Sequence, residues 1–469
     1  FNRLKSRHDE KKINALKKQI SEVSQHNIIS NNEENIDFYL YSQLNKFSSS
    51  KERILDNLNI AGNSSNDLIE YVPDLPSLKK VLNDNEAFVS ITFGYGQIFR
   101  LCVTKDNVNL SHSPIGDITK LSNDFRILKA SLSAGHPPNL TLDKQFPVKS
   151  SNDLYNLFFT DSGSCIKGKD HIIWSPHDFI LDIPLSALLQ NIPTKIENGW
   201  DLAHADWLGK SYSFTYATSS VSFIASRKMR RQISKQLSFV GFGDPVLSGT
   251  TIQGDIRRSV SVPTVYNEPN RILYELYELP ETSYELTKQA DILGDSSILY
   301  LQDNATERNI RREILSRYNI VSFATHGLVQ GEISGINESA LALSPTITDN
   351  SLYDGILTSS EISNLNFASD LTILSACNTA TTNIELFNSD LHSLSTAFSH
   401  AGSPTTVASL WSIDSKTSES ILVDLINYYN LNNDRYISGA LHNAIIKHFD
   451  TLPNDAYAHP RFWAAFRVF

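Results

Sequence analysis

Two short phrases stand out in the pattern of apolar and polar positions: VSFATHGL at 321–328 and LTILSACN at 371–378. Each is an apolar run that stops at one reactive side chain, His326 in the first and Cys377 in the second. Such runs, mixed in branched and unbranched residues and bounded by polar ones, suit strands buried on both faces of a parallel sheet. Around them, strand and helix patterns alternate from residue 237 onward. LSFVGF (237–242) is a strand, and 279–293 is a helix opened by Pro280, with Glu281 and Glu285 in its early turns where carboxylates suit the helix dipole. A strand at 297–301 and a helix at 306–317 lead to the first phrase. Beyond the second come a helix at 390–401 ended by Gly402, the strand TTVASLW (405–411), helices at 417–429 and 438–449, and a closing strand FWAAFRVF (462–469). The alternation predicts an α/β fold with a mostly parallel sheet flanked by helices.

Upstream the pattern changes. FVSITF (88–93) and QIFRLCV (97–103) read as a hairpin, followed by a polar helix at 123–133. HIIWSPHDFILDIP (171–184) reads as two strands with a helix opening at Leu185, and then come a strand at 212–216 and a helix at 219–236. Residues 246–270 lack periodicity and read as a long loop. Residues 1–80 are polar and helical, with Ile13, Leu16, Ile20 and Val23 forming one narrow apolar stripe, as in a helical cap or the end of a repeat array.

A chain of 469 residues is too long for one ordinary core. The pattern divides it into a helical region (1–80), a first α/β half (81–235) and a second (236–469). With 41% hydrophobic and 20% charged residues the chain is globular, and a net charge of −10 argues against direct nucleic-acid binding. The basic cluster RKMRR (227–231) reads as a solvated helix end. No apolar stretch reaches the roughly 18 residues that span a bilayer, so no membrane partner is expected. Cys102, Cys165 and Cys377 are an odd number without zinc-ligand spacing, which points to a reducing, cytoplasmic location, with Cys102 as a buried core residue. GSCIKGK (163–169) mimics a phosphate-binding loop. Asp170 stands where the magnesium-binding Ser or Thr belongs, and the following residues look extended, so no nucleotide is expected there. No metal or other cofactor is expected either.

A thiol and an imidazole at the same edge of one sheet can act as nucleophile and base. Gly327 after the histidine, and Ser375 with Ala376 before the cysteine, are small enough to admit a substrate backbone. Several motifs then occur in order: IPLSALL (183–189), GDP (243–245), ATERNIRREI (305–314), THG (325–327), DLTILSACNT (370–379), AFSHAG (397–402), VASLW (407–411) and HPRFWAAF (459–466). Together they resemble the CHAT domain, a caspase-like cysteine peptidase domain related to separase. The resemblance implies a regulated endopeptidase that cuts a protein substrate through a Cys377 thioester. His326 would be general base and acid, and the backbone amides of Gly327 and Cys377 would stabilise the oxyanion. It also implies that residues 81–235 are a degenerate, pseudo-protease half packed on the active one, and that an activating protein or complex acts through the N-terminal helical region.

By position, Asp414 matches the carboxylate that separase-like enzymes place in the pocket for the residue before the cut, which would favour a basic residue there. Its other reading is a cap for the helix near Thr417. Glu361 and Asp354 are candidates to line the cleft, or are solvated loop residues. After the cysteine the chain reads ATTN (380–383), where the family has a glycine-containing turn, a departure that bears on the shape of the cleft. The alternative function is a noncatalytic scaffold that binds partner proteins.

Overall fold

A computed structural model describes residues 75–469 except 95, 134–145, 161–162, 177–179, 181–182, 198, 230–237, 248–272, 274–275, 329–337, 347–352, 368, 376–386, 412 and 432–435. The helices expected before residue 75 lie outside this set, as does Cys377. Asp74–Phe469 form one compact unit, separate from Phe1–Pro73.

The unit opens with helix α1 (Leu75–Val81) and the strands β1 (Glu86–Gly94), β2 (Gln97–Val103) and β3 (Val108–Pro114). The expected β1–β2 hairpin forms, with Gly94 opposite Gln97. β3 pairs antiparallel with β2 but was not foreseen, because its exposed Val108 and Leu110 alternate with half-buried polar residues and give no core-facing stripe. Helices α2 (Ile118–Ser133), α3 (Val148–Phe159) and the single turn α4 (Gly163–Ile166) lead to β4 (His171–Pro176). The small hairpin β5 (Lys195–Ile196) and β6 (Gly199–Trp200), the single turn α5 (Leu208–Ser211), strand β7 (Ser213–Tyr216) and helix α6 (Ser220–Met229) follow. The first sheet runs β3-β2-β1-β4-β7, with β1, β4 and β7 parallel. Alternation along β1 sends Ala87, Val89 and Ile91 into the main core, while Phe88 meets α1 and α6 through Leu78, Phe223 and Ile224.

Two expectations are corrected here. The second strand expected in 171–184 lies largely on residues outside the described set, and the helix expected from Leu185 is instead a single 3₁₀ turn, Leu185–Ala187, since Pro184 starts it and Leu188 returns to extended backbone. Cys102 is buried, as a core residue would be, but it is bonded to Cys165, which α4 holds beside the end of β2. The odd count of three cysteines therefore resolves into one pair and Cys377, and it no longer argues for a reducing compartment.

The second sheet is built from β8 (Phe239–Gly243), helix α7 (Pro280–Leu293), β9 (Ser297–Leu301), helix α8 (Glu307–Arg312) and β10 (Ile320–Ala324). A three-stranded antiparallel sheet branches off through β11 (Gly327–Leu328), β12 (Ala340–Ala342) and β13 (Ile356–Thr358), ending in the short helix α9 (Ser359–Ser363). The chain returns through β14 (Leu371–Leu374), helix α10 (Phe387–His400), β15 (Thr406–Ser409), helices α11 (Ser415–Leu431) and α12 (Ile437–Asp450), and β16 (Phe466–Val468). The order is β16-β15-β14-β10-β8-β9, all parallel except β16. β8, β10, β14 and β15 are buried along their whole length, because α7 and α11 cover one face and α8 and α10 the other.

The closing strand is shorter than expected, because Pro460–Phe462 forms a 3₁₀ turn that His459 caps. The helix expected over 306–317 is likewise split, into α8 and a 3₁₀ turn at Leu315–Arg317. β16 abuts β7: the Arg467 guanidinium lies 4.4 Å from the Tyr216 ring centre, and Phe469 packs on the same ring. One hydrophobic core runs through both sheets, from Val89 and Trp174 to Ile373, Leu422 and Trp463.

Candidate active site

The two phrases occupy adjacent parallel strands. Ile320 pairs with Leu371, and the register ends with Phe323 opposite Leu374. Past that last pair, the Ser375 amide donates to the Phe323 carbonyl at 2.9 Å. His326 and Cys377 each follow their last paired residue by three positions. His326 therefore belongs to the carboxyl edge of the sheet, where open α/β sheets bind ligands, while Cys377 lies outside the described residues.

His326 is held from three sides. Thr325 before it donates its hydroxyl to the Ala342 carbonyl, and the Ala342 amide donates to the His326 carbonyl at 2.9 Å. Gly327 after it pairs with Leu341, so the branching sheet fixes the backbone on both sides of the imidazole. The ring is 1% exposed, and Nε2 lies 2.6 Å from the Tyr277 carbonyl oxygen. A carbonyl can only accept, so Nε2 carries the hydrogen and Nδ1 is the basic nitrogen of the neutral ring. Burial pushes the imidazole below its ordinary range against the opposing pull of the Tyr277 carbonyl and Glu281, which keeps it neutral at pH 7. Tyr277 was missed in the sequence, since a backbone carbonyl before a helix leaves no side-chain signal.

Helix α7 follows Tyr277 and serves the same edge one turn further on. Gly243 at the end of β8 lets it close in: a Cβ there would lie 2.6 Å from Leu286 and 2.8 Å from the Ala324 carbonyl. Glu281 occupies the first turn as expected. Glu285 does not serve the helix dipole. It is 4% exposed, facing inward, and its carboxylate accepts from Ser375 Oγ at 3.1 Å, Ser418 Oγ at 3.5 Å and Gln289 Nε2 at 3.3 Å. Burial pushes this carboxyl up to about 7. A signal was available: Thr282, Glu285 and Gln289 occupy positions of the helix that its period turns inward, where apolar residues belong.

The three acidic candidates make local bonds. Asp414 accepts from the Thr417 amide at 3.2 Å and the Thr417 hydroxyl at 3.1 Å, capping α11. Glu361 closes a capping box with Thr358 at the start of α9 and pairs with Arg311 at 2.6 Å. Asp354 accepts from the Ile356 amide at 2.9 Å, and burial raises its carboxyl. Glu361 and Asp354 lie near each other and near the buried Glu307, beyond the branching sheet. No three or more His, Cys, Asp or Glu side chains converge as a metal site among the described residues. The phosphate-loop mimic at 163–169 contains only one helical turn, and Cys165 in it is bonded to Cys102.

The fold is thus a mostly parallel, helix-flanked α/β sheet with a buried histidine at its carboxyl edge. The chain belongs to the CHAT domain family, whose model matches residues 148–469. No curated protein matches it. Among solved structures, the chain is similar to separase in its complex with securin from Saccharomyces cerevisiae, at 11% identity and a TM-score of 0.47 over 84% of this chain and 30% of that one. It is also similar to the Arg-specific cysteine proteinase gingipain R, at 10% identity and a TM-score of 0.38 over 75% of this chain and 74% of that one. The chain thus spans less than a third of that separase. No helix among the described residues is long and apolar enough to cross a membrane.

Proposed function

We propose that this chain is a regulated cysteine endopeptidase that cleaves a protein partner. The observation that supports the reading is the register of β10 and β14, in which Phe323 faces Leu374, the one three residues before His326 in the sequence and the other three residues before Cys377. The Tyr277 carbonyl supports it by fixing the imidazole tautomer that a general base requires. In the proposed cycle His326 Nδ1 takes the Cys377 proton, and the sulfur attacks the scissile carbonyl. The backbone amides of Gly327 and Cys377 receive the oxyanion. The imidazolium then protonates the departing amine, leaving a thioester, which water hydrolyses with the same histidine as base.

Asp414 is the proposed selector of a basic residue before the cut, while Glu361 and Asp354 are assigned to holding α9 and β13. The first sheet, with residues 81–235, is the proposed pseudo-protease half. Regulation through residues 1–80 by a protein or complex belongs to the same proposal. Its placement in the cytoplasm is the part that the Cys102–Cys165 bond opposes.

The test is to incubate the wild type and Cys377→Ala with candidate partner proteins and map new termini by mass spectrometry. New termini made by the wild type alone are expected. Cleavage that survives in Cys377→Ala, with the fold intact by circular dichroism, would reject the mechanism. Failure of a basic-residue peptidyl chloromethyl ketone to label Cys377 would favour the noncatalytic scaffold.

A further inference from the structure

Glu285 poses a problem that stability does not solve. It is a carboxyl group at 4% exposure whose hydrogen-bond partners are all neutral, and it forms no ion pair among the described residues. The charge that acts on it is Glu419, which is of like sign. A buried carboxylate without a cation is costly, and an apolar side chain of similar volume at the same position is commonly neutral or stabilising. Gln289, one turn on, is fully buried as well. Two polar residues thus occupy a helix face that packs on the sheet and on α11, where Leu286 and Leu293 show what the core otherwise selects.

What these groups touch is specific. Ser375 is the first residue beyond β14, two residues before Cys377 and so within about 7 Å of it along the chain. Ser418 is in the first turn of α11, the helix that follows β15. The Glu285 carboxylate accepts from both, so it ties the exit of β14 to the start of α11 from beneath the sheet edge. Ser375 is fixed a second time by its amide bond to the Phe323 carbonyl on the His326 strand.

We propose that Glu285 is a positioning residue for Cys377, acting through Ser375 and Ser418 to set where the chain leaves β14. The proposal rests on the peptidase reading of Cys377. One stretch of chain then serves both partners of the dyad: Tyr277, three residues before α7, orients the imidazole, and Glu285 within α7 holds Ser375, two residues before the thiol. Here a stabilising apolar residue has been forgone for a placement that chemistry needs, the trade expected at functional sites.

Because Cys102 and Cys165 are bonded, Cys377 is the free thiol among the three cysteines, and its alkylation by iodoacetamide can be followed with the full chain and no known substrate. Second-order rates are measured at pH 7.5 for the wild type, Glu285→Gln, Glu285→Met, Ser375→Ala and the Glu285→Met/Ser375→Ala double variant. The labelled site is confirmed by mass spectrometry and melting temperatures are taken alongside. Loss of placement is expected to slow alkylation by about tenfold or more in Glu285→Met and Ser375→Ala, with Glu285→Gln intermediate. The double variant should be no slower than the slower single one, as for residues acting through one another.

The melting temperature of Glu285→Met should equal or exceed that of the wild type, a result a purely structural role would not give. Rates within twofold of wild type in both Glu285→Met and Ser375→Ala, or a loss of rate that tracks a lowered melting temperature, would overturn the positioning role while leaving the peptidase reading in place. A wild-type thiol no more reactive than N-acetylcysteine would overturn both.

Discussion

The bond between Cys102 and Cys165 closes a span of 63 residues that includes α2, α3 and all of β3. It joins the end of β2 to the turn before β4, two strands that pair with opposite edges of β1. Cutting it therefore loosens the antiparallel wing from the parallel part of the first sheet. In the chain-entropy account, a cross-link over this separation removes about 4 kcal/mol of freedom from the unfolded state. That is a large share of the roughly 5–15 kcal/mol by which domains are stable.

The perturbation is Cys165→Ser, compared with the wild type in urea without reductant and followed by tryptophan fluorescence. Trp174 and Trp207, both buried to 0% exposure, report directly on the core of this sheet. The expected result is a clear fall in the midpoint, worth about 4 kcal/mol on extrapolation to water, with a somewhat steeper denaturant dependence because the unfolded chain is less compact. Identical midpoints and slopes for the two proteins would refute the reasoning.

Two further outcomes follow from single residues. Glu307 is 1% exposed, and burial pushes its carboxyl up to about 8, helped by Glu361 and Asp354 and opposed by the Gly355 amide and Arg311. The folded state thus favours its protonated form, so its stabilising contribution is complete below the unfolded value of 4.5 and is lost as pH rises through about 8. Melting temperatures of the wild type between pH 6 and 9 should fall more steeply than those of Glu307→Gln, by the equivalent of up to about 1.4 kcal/mol per pH unit. Equal slopes would count against it. Gly402 has φ of +103°, and a Cβ there would strike the Phe367 carbonyl. Gly402→Ala is expected to cost roughly 2–3 kcal/mol in urea unfolding, and a loss below 0.5 kcal/mol would show that the turn relaxes freely.

The parts of the fold that could be read in the sequence are those where burial writes a pattern. β8, β10, β14 and β15 are apolar because both faces are covered, and their helices carry clear stripes. β3 was invisible because it lies at the sheet's edge with Leu110 69% exposed, so no burial disciplines its residues. The branching sheet escaped notice for another reason: β11, β12 and β13 are two or three residues each, too short to show a period. At the candidate site His326 could be singled out from its place after an apolar run, whereas its partner Tyr277 acts through a backbone atom common to every residue. Glu285 is legible in principle, because the sixth residue of α7 lies beyond the first turn where the helix dipole acts and on the face that the helical period turns inward.

The main core, which runs through both sheets, also separates two things usually treated as one. The family match begins at residue 148, yet β1, β2 and β3 make up three of the five strands of the first sheet. A piece cut at that boundary would strip β1 from β4, leaving the backbone edge of His171–Pro176 unpaired and opening Ile172 and Trp174 to water. The matched block is thus smaller than the unit that shares this core. β1–β3 complete the matched region by covering the edge that β4 would otherwise present to water.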